Sequence, residues 1–170
     1  MAAGDQDSRG EIHLTSIVVE TLIAAPPDVC FDLALDVGAH AESAAFSGER
    51  IVEPGRLSGV LQLGDLVTFE GRHFGIRQRF TAKIVEIDRP RSFVDEMVHG
   101  IFKRLRHVHE FHPRDGGTLM RDVLEWEAPF GFLLQRHMRW FVATKQQRLK
   151  EIAERRGQPA PAALHTTGST

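Results

Sequence analysis

The pattern of apolar and polar positions along the chain predicts a series of β-strands followed by one long helix. Several stretches alternate between apolar and polar residues, which is typical of strands with one buried face. Others are short, rich in β-branched residues and bounded by turn residues. The predicted strands cover residues 15–24, 48–54, 64–74, 76–87, 93–99, 105–111 and 118–128.

Helical signals occur at two places. Pro26-Pro27 favours a helix start, and that helix is expected to end at Gly38, with a short helical turn over 41–45 after it. A longer helix is predicted over 131–156, because its apolar residues recur at helical spacing. Its polar residues Lys145 and Arg148 are assigned to the solvated surface. The apolar stripe consists of Leu134, Met138, Phe141, Leu149 and Ile152.

This order of elements predicts an α+β fold. Consecutive strands joined by short turns form an antiparallel meander, and a single amphipathic helix packs across the one apolar face of such a sheet. A curved antiparallel sheet wrapped around the long C-terminal helix leaves room for a cavity between them. Composition divides the chain into disordered tails at 1–11 and 158–170 and one domain at 12–157.

Bulk composition narrows the classes of function. The net charge of -2 gives no reason to expect nucleic acid or an anionic membrane as partner. Cys30 is the one cysteine, which excludes an intrachain disulfide. The polar, acidic start of the chain does not resemble a secretion signal, and no apolar run is long enough to span a bilayer. A cytoplasmic protein is therefore expected, with its oligomeric state left open.

The candidate chemistry lies on two neighbouring strands. Side chains on a strand alternate between its faces, so Asp95 shares a face with Phe93 on one strand. His107 and His109 share a face with Phe111 on the next. An acid and imidazoles among large apolar groups indicate the wall of a cavity that holds a ligand.

The expected hairpin registers follow from the turns. Pairing residue 99 with 105 puts Asp95 opposite His109, and a turn across 112–117 puts Asp122 opposite His107. The residues expected to be largely buried are Phe80, Ile84, Phe111, Leu124, Trp126, Met138 and Phe141. The predicted ligand-binding residues are Phe69, His73, Phe80, Met97, Leu105, Met120, Leu124, Trp126, Met138 and Phe141.

Several strings resemble those of a known superfamily. They are residues 23–31, 93–96 with Gly100, 107–111, 115–122 and 129–131. Together with the element order over 15–153, they resemble the helix-grip fold of the START, Bet v 1 and polyketide cyclase/dehydrase (SRPBCC) superfamily, in particular an uncharacterised bacterial branch. Ile101 stands where that branch usually has proline, and Leu105 where it usually has tryptophan. The resemblance implies a ligand cavity without a metal or cofactor, and it does not choose a reaction.

Three functions remain open at this stage. The first is binding of a small hydrophobic or aromatic ligand, with Asp95, His107, His109 and Asp122 orienting its polar group. The second is a cyclase/dehydratase-type enzyme in which the same four residues are catalytic acids and bases. The third is a protein-interaction module without a small ligand, which predicts a filled interior. The His-x-His spacing also suits zinc, but no metal is expected.

Overall fold

Seven strands and three helices make up the fold in a computed structural model that describes residues 13–73, 76–129 and 131–157. The predicted tails at 1–11 and 158–170 lie outside the described residues. The strands are β1 (His13–Ile23), β2 (Arg50–Val52), β3 (Leu66–His73), β4 (Ile76–Asp88), β5 (Ser92–His99), β6 (Arg104–Arg114) and β7 (Gly117–Ala128). The helices are α1 (Pro27–Leu35), α2 (Val37–Ala44) and α3 (Gln135–Gly157).

The strands form one antiparallel sheet in the order β1-β7-β6-β5-β4-β3-β2. Strands β2 to β7 are a meander, and β1 completes the sheet by pairing with β7. Helices α1 and α2 carry the chain from one edge of the sheet to the other. The predicted α+β fold, a curved antiparallel sheet around a long C-terminal helix, is confirmed.

Both central hairpins differ from the expected register by two residues. Asp95 lies opposite His107 rather than His109, and Asp122 lies opposite His109 rather than His107. The β6–β7 hairpin closes on a two-residue turn with Gly116 at φ 81°, tighter than the turn assumed from sequence. A shift of two preserves the face of every side chain, so the same residues still point inward.

Helix α2 begins at a side-chain cap. Asp36 accepts a hydrogen bond from the backbone N–H of Ala39 at 2.8 Å, which satisfies one of the free donors of the first turn. The cap places His40 one turn into the helix, and the His40 ring lies 4.9 Å from the ring of Phe69 on β3. This short helix therefore forms one end of the space under α3.

The two halves of α3 pack differently. Leu149, Ile152 and Ala153 in the C-terminal half are buried in the main core with Phe31 and Phe111. Met138 and Phe141 in the N-terminal half are only partly buried, because they face a cavity instead of the sheet. Buried Gln146, between the halves, accepts a hydrogen bond from Thr21 on β1 at 2.7 Å.

The residues that were expected to be largely buried are buried to different degrees. Ile84, Phe111, Leu124 and Trp126 are all buried. Phe80, Met138 and Phe141 are partly buried, because they pack against the core and also line the cavity. Among the described residues, no helix combines the length and the hydropathy needed to cross a membrane.

Candidate functional site

A charged cluster lies on the inner face of the sheet, where three neighbouring strands each contribute one side chain. Asp95 comes from β5, His109 from β6 and Asp122 from β7. His109 and Asp122 are directly opposite each other, and Asp95 reaches His109 from a diagonal position. The alternation of each strand directs all three side chains to the concave face, so the prediction from parity places them correctly.

His109 bridges the two carboxylates. Its Nδ1 lies 2.8 Å from Asp122 Oδ1 and its Nε2 lies 3.0 Å from Asp95 Oδ2. The ring of Phe93 stacks on the imidazole at 4.2 Å between centroids. Buried charges are tolerated when they are paired and hydrogen-bonded in this way, and both ring nitrogens of His109 are occupied.

The cluster stabilises its own ionised form. Burial alone disfavours the imidazolium, but the charges of Asp122 and Asp95 and their hydrogen bonds outweigh it and raise the pKa of His109 to about 9. Burial likewise opposes ionisation of the carboxyls, and the neighbouring imidazoles overcome it, so the pKa values of Asp95 and Asp122 fall below their ordinary values. Two carboxylates and one imidazolium leave one net negative charge.

His107 differs from its neighbour although the two rings lie only 3.8 Å apart. Burial and the positive charge of His109 lower the pKa of His107, so the ring is neutral at neutral pH. Its Nε2 is 3.6 Å from Asp122 Oδ2. That nitrogen is buried and has no hydrogen-bond partner in the part of the chain that the structure describes.

The opposite wall of the cavity carries a lysine that the sequence analysis placed on the surface. Lys145 Nζ, from α3, donates a hydrogen bond to His40 Nε2 and lies 5.5 Å from the ring centroid of Phe69. Burial lowers the pKa of Lys145, against the opposing charges of Glu49, Asp95 and Asp122. Burial and the charge of Lys145 also hold the pKa of His40 well below its ordinary range.

The sequence did contain an indication that Lys145 faces the interior. Lys145 lies four residues after Phe141 and four before Leu149, so it belongs to the apolar stripe of α3. His40 carried no comparable signal, since it lies in a short helical segment whose packing depends on the β1-to-β2 connection.

Between the two walls is a partly open cavity of about 170 Å³. It is smaller than the roughly 300–1,000 Å³ that is common for small-molecule pockets. An apolar cavity of about 150 Å³ holds one benzene molecule, so the space suits a ligand of about one ring. All four residues of the predicted polar set line it, together with the predicted ligand-binding residues Phe69, Phe80, Leu105, Met120, Leu124, Met138 and Phe141.

Two predicted ligand-binding residues do not line the cavity, and the placement of a third is not described. Trp126 is fully buried in the core next to the cavity and does not line it. Met97 also does not line it, because its side chain packs at Gly100 and Phe80. The side chain of His73 lies outside the described residues.

The same cluster has the spacing of a metal site. One ligand atom each from Asp95, His107 and His109 can be chosen so that all three lie within 4.8 Å of one another. His109, however, already uses both ring nitrogens toward carboxylates, and its raised pKa favours the protonated ring, which has no lone pair for a metal. The donor set therefore fits a metal poorly, and the prediction that none is bound stays a prediction.

Solved structures with the same fold come from bacteria and plants. TTHA0849 from Thermus thermophilus is 21% identical with a TM-score of 0.68, over 85% of this chain and 100% of that chain. Protein CV1439 from Chromobacterium violaceum is 14% identical with a TM-score of 0.66, over 82% and 96%. Ginseng major latex-like protein 151 from Panax ginseng is 16% identical with a TM-score of 0.61, over 82% and 97%.

No curated protein matches the chain in sequence. The solved structures establish the Bet v 1-like fold, and their identities are too low to carry a function. The family comparison goes further, because it aligns residues 23–149, from the end of β1 to the buried part of α3. The match includes the four polar residues and both walls of the cavity. The chain belongs to the family described as polyketide cyclase / dehydrase and lipid transport.

Proposed function

We propose that this protein binds a small, mainly apolar or aromatic ligand of about one ring in the cavity between sheet and α3. The observation that carries the proposal is His107 Nε2, which is buried in the wall of that cavity and whose only polar contact among the described residues, with Asp122 Oδ2 at 3.6 Å, is too long for a good hydrogen bond. A buried polar atom without a partner costs about 1–3 kcal/mol. A ligand hydroxyl or carbonyl at His107 recovers that cost.

The other residues of the cluster hold the strands together and set the protonation state of His107. Asp95, His109 and Asp122 satisfy one another, which alone explains a role in holding three strands together. Their charges also keep the imidazolium on His109, and its positive charge keeps His107 neutral. The apolar residues of the wall select the ring, and His107 orients its polar group. A space of this size disfavours an interaction module, which predicts a filled interior.

Two matched probes test the proposal. Phenol and toluene have nearly the same shape, and only phenol has a hydroxyl. The wild-type protein is expected to bind phenol about 2- to 10-fold more tightly than toluene. This ratio corresponds to the net free energy of one neutral hydrogen bond. His107→Ala should bind both equally. His112→Ala on the outer face of β6 is the control and should behave as wild type. If the wild type binds neither probe, or if His107→Ala keeps the preference for phenol, the proposal is wrong.

An acid–base enzyme of the cyclase/dehydratase kind is the second candidate. The opposite pKa shifts of His107 and His109 favour it, because adjacent groups driven apart in this way provide a base and an acid at one pH. In this role His107 Nε2 removes a proton next to a ligand carbonyl. Acetophenone in D₂O tests it: protein-dependent deuterium incorporation at the methyl group that His107→Ala abolishes supports an enzyme, and binding without exchange supports a carrier.

Composition supplies the remaining expectations. A small hydrophobic molecule is the proposed partner. A cytoplasmic location and the absence of a nucleic-acid partner stay predictions.

A further inference from the structure

The wall opposite the histidine cluster has a reactive group of its own. Lys145 is one of four lysines in the chain, and it is the one that lines the cavity. Lys83 and Lys103 are exposed, and Lys150 is partly exposed beside Glu154 at 3.7 Å. The Nζ of Lys145 is hydrogen-bonded to the imidazole of His40 and packs against the ring of Phe69.

We propose that Lys145 Nζ captures an aldehyde or ketone group of a small ligand by forming an imine, with His40 as the proton carrier. The inference rests on the proposed function, since the ligand must enter the same cavity. It adds a chemical class: the ligand carries a carbonyl at the end that faces α3.

Burial shifts Lys145 toward its neutral, nucleophilic form. A lysine becomes nucleophilic when burial removes water from its ammonium group, and here burial lowers the pKa of Lys145. The negative charges of Glu49, Asp95 and Asp122 oppose this effect of burial and offset it only in part. The ring of His40 presents Nε2 to Lys145, so a proton can pass between the two nitrogens.

The reaction balances without any further reactant. The lone pair of Nζ adds to the carbonyl carbon, and a C–N bond forms. One amine proton passes through His40 Nε2 to the former carbonyl oxygen and gives a carbinolamine. The C–O bond then breaks, the hydroxyl leaves with the second amine proton as water, and a C=N bond remains. An amine and a carbonyl give an imine and water, with no electrons transferred.

Carboxylates around the site stabilise the product. The charges of Glu49, Asp95 and Asp122 favour a positive charge on the nitrogen of Lys145. A protonated imine has this charge at the same position. The network that partly offsets the burial of the lysine therefore also stabilises the captured ligand.

Benzaldehyde with sodium cyanoborohydride tests the inference on the full chain. The reductant converts an imine into a stable benzyl-amine, and peptide mass mapping locates it. Lys145 is expected to be labelled first, while the exposed Lys83 and Lys103 remain unlabelled. Lys145→Met should lose this adduct, and Lys150→Arg, on the same helix, should keep it. His40→Gln should slow the labelling.

Benzyl alcohol separates this inference from the proposed function. It has the shape of benzaldehyde and no carbonyl, and its binding can be followed by NMR shifts of the methyl groups in the cavity. If both compounds bind and Lys145 is labelled no faster than Lys83, imine capture is wrong and the proposed function stands. If neither compound binds and the labelling is unselective, both are wrong. The rate at which the wild-type protein is labelled at Lys145 relative to Lys83 tests imine capture even if Lys145→Met fails to fold.

Discussion

The bridged imidazole of His109 makes the stability of the fold depend on pH in a predictable direction. Its pKa rises from 6.5 to about 9 on folding. A group with a raised pKa in the folded state contributes stability that is fully present below pH 6.5 and is lost as the pH rises through 9. At 1.36 kcal/mol per unit, this contribution is roughly 3 kcal/mol. Most of it should disappear between pH 6.5 and pH 9.

Neighbouring groups titrate as well, so the test must isolate His109. The lowered pKa values of Asp95 and Asp122 act at acid pH, outside this range. His107 and His40 have lowered pKa values, so their contributions change below pH 6.5.

The pKa of Lys145 is lowered from the ordinary value of a lysine, so its contribution to stability changes on the basic side. Its lowered pKa makes the free energy of unfolding rise with pH, against the effect of His109. The difference between the wild type and His109→Gln at each pH removes most of this contribution, since the variant keeps Lys145.

Urea unfolding of both proteins at several pH values between 6.5 and 9 is the assay. The difference in unfolding free energy should shrink by about 2–3 kcal/mol across the range. His112→Gln, on the outer face of the same strand, should follow the wild type. A difference that stays constant with pH refutes the reasoning. If His109→Gln does not fold, an NMR titration of the His109 ring in the wild type gives the pKa directly.

Two further predictions concern the core. Phe111→Ala should destabilise the protein by about 3–5 kcal/mol, because Phe111 is buried against Phe31 at 5.5 Å between ring centroids. Phe132→Ala, at an exposed site, should change stability by less than about 0.5 kcal/mol in the same thermal melts. Gly117→Ala should cost about 1–3 kcal/mol in chemical unfolding, because a Cβ there runs into the backbone carbonyl of Ile23 on β1; unchanged stability would contradict this packing.

The inner face of the sheet was predictable from the sequence, because it depends only on parity. Alternation and the apolar residues beside them assigned Asp95, His107 and His109 to the inner face, and an assumed register of the right parity added Asp122. The register was not predictable to the same degree. It depends on the length of each turn, and a slip of two residues leaves every burial pattern unchanged. Which carboxylate lies opposite which imidazole therefore required the structure.

The second wall of the cavity was missed for a different reason. Helical periodicity places Lys145 on the apolar stripe of α3, but a long lysine side chain usually extends to solvent from such a position. Here it is retained inside by His40 and Phe69, from α2 and β3. These contacts join distant parts of the chain, and no local pattern encodes them.

Charge balance links the two walls. The strand cluster has one net negative charge, since the two carboxylates face one imidazolium. A protonated nitrogen at Lys145 neutralises it across the cavity, and the charges of Asp95 and Asp122 do act on that nitrogen. The protonated imine that the proposed capture forms carries this positive charge, so the capture completes the charge balance between the two walls. The two proposals therefore assign separate roles to the two walls: His107 would orient one polar group of the ligand, and Lys145 would react with another.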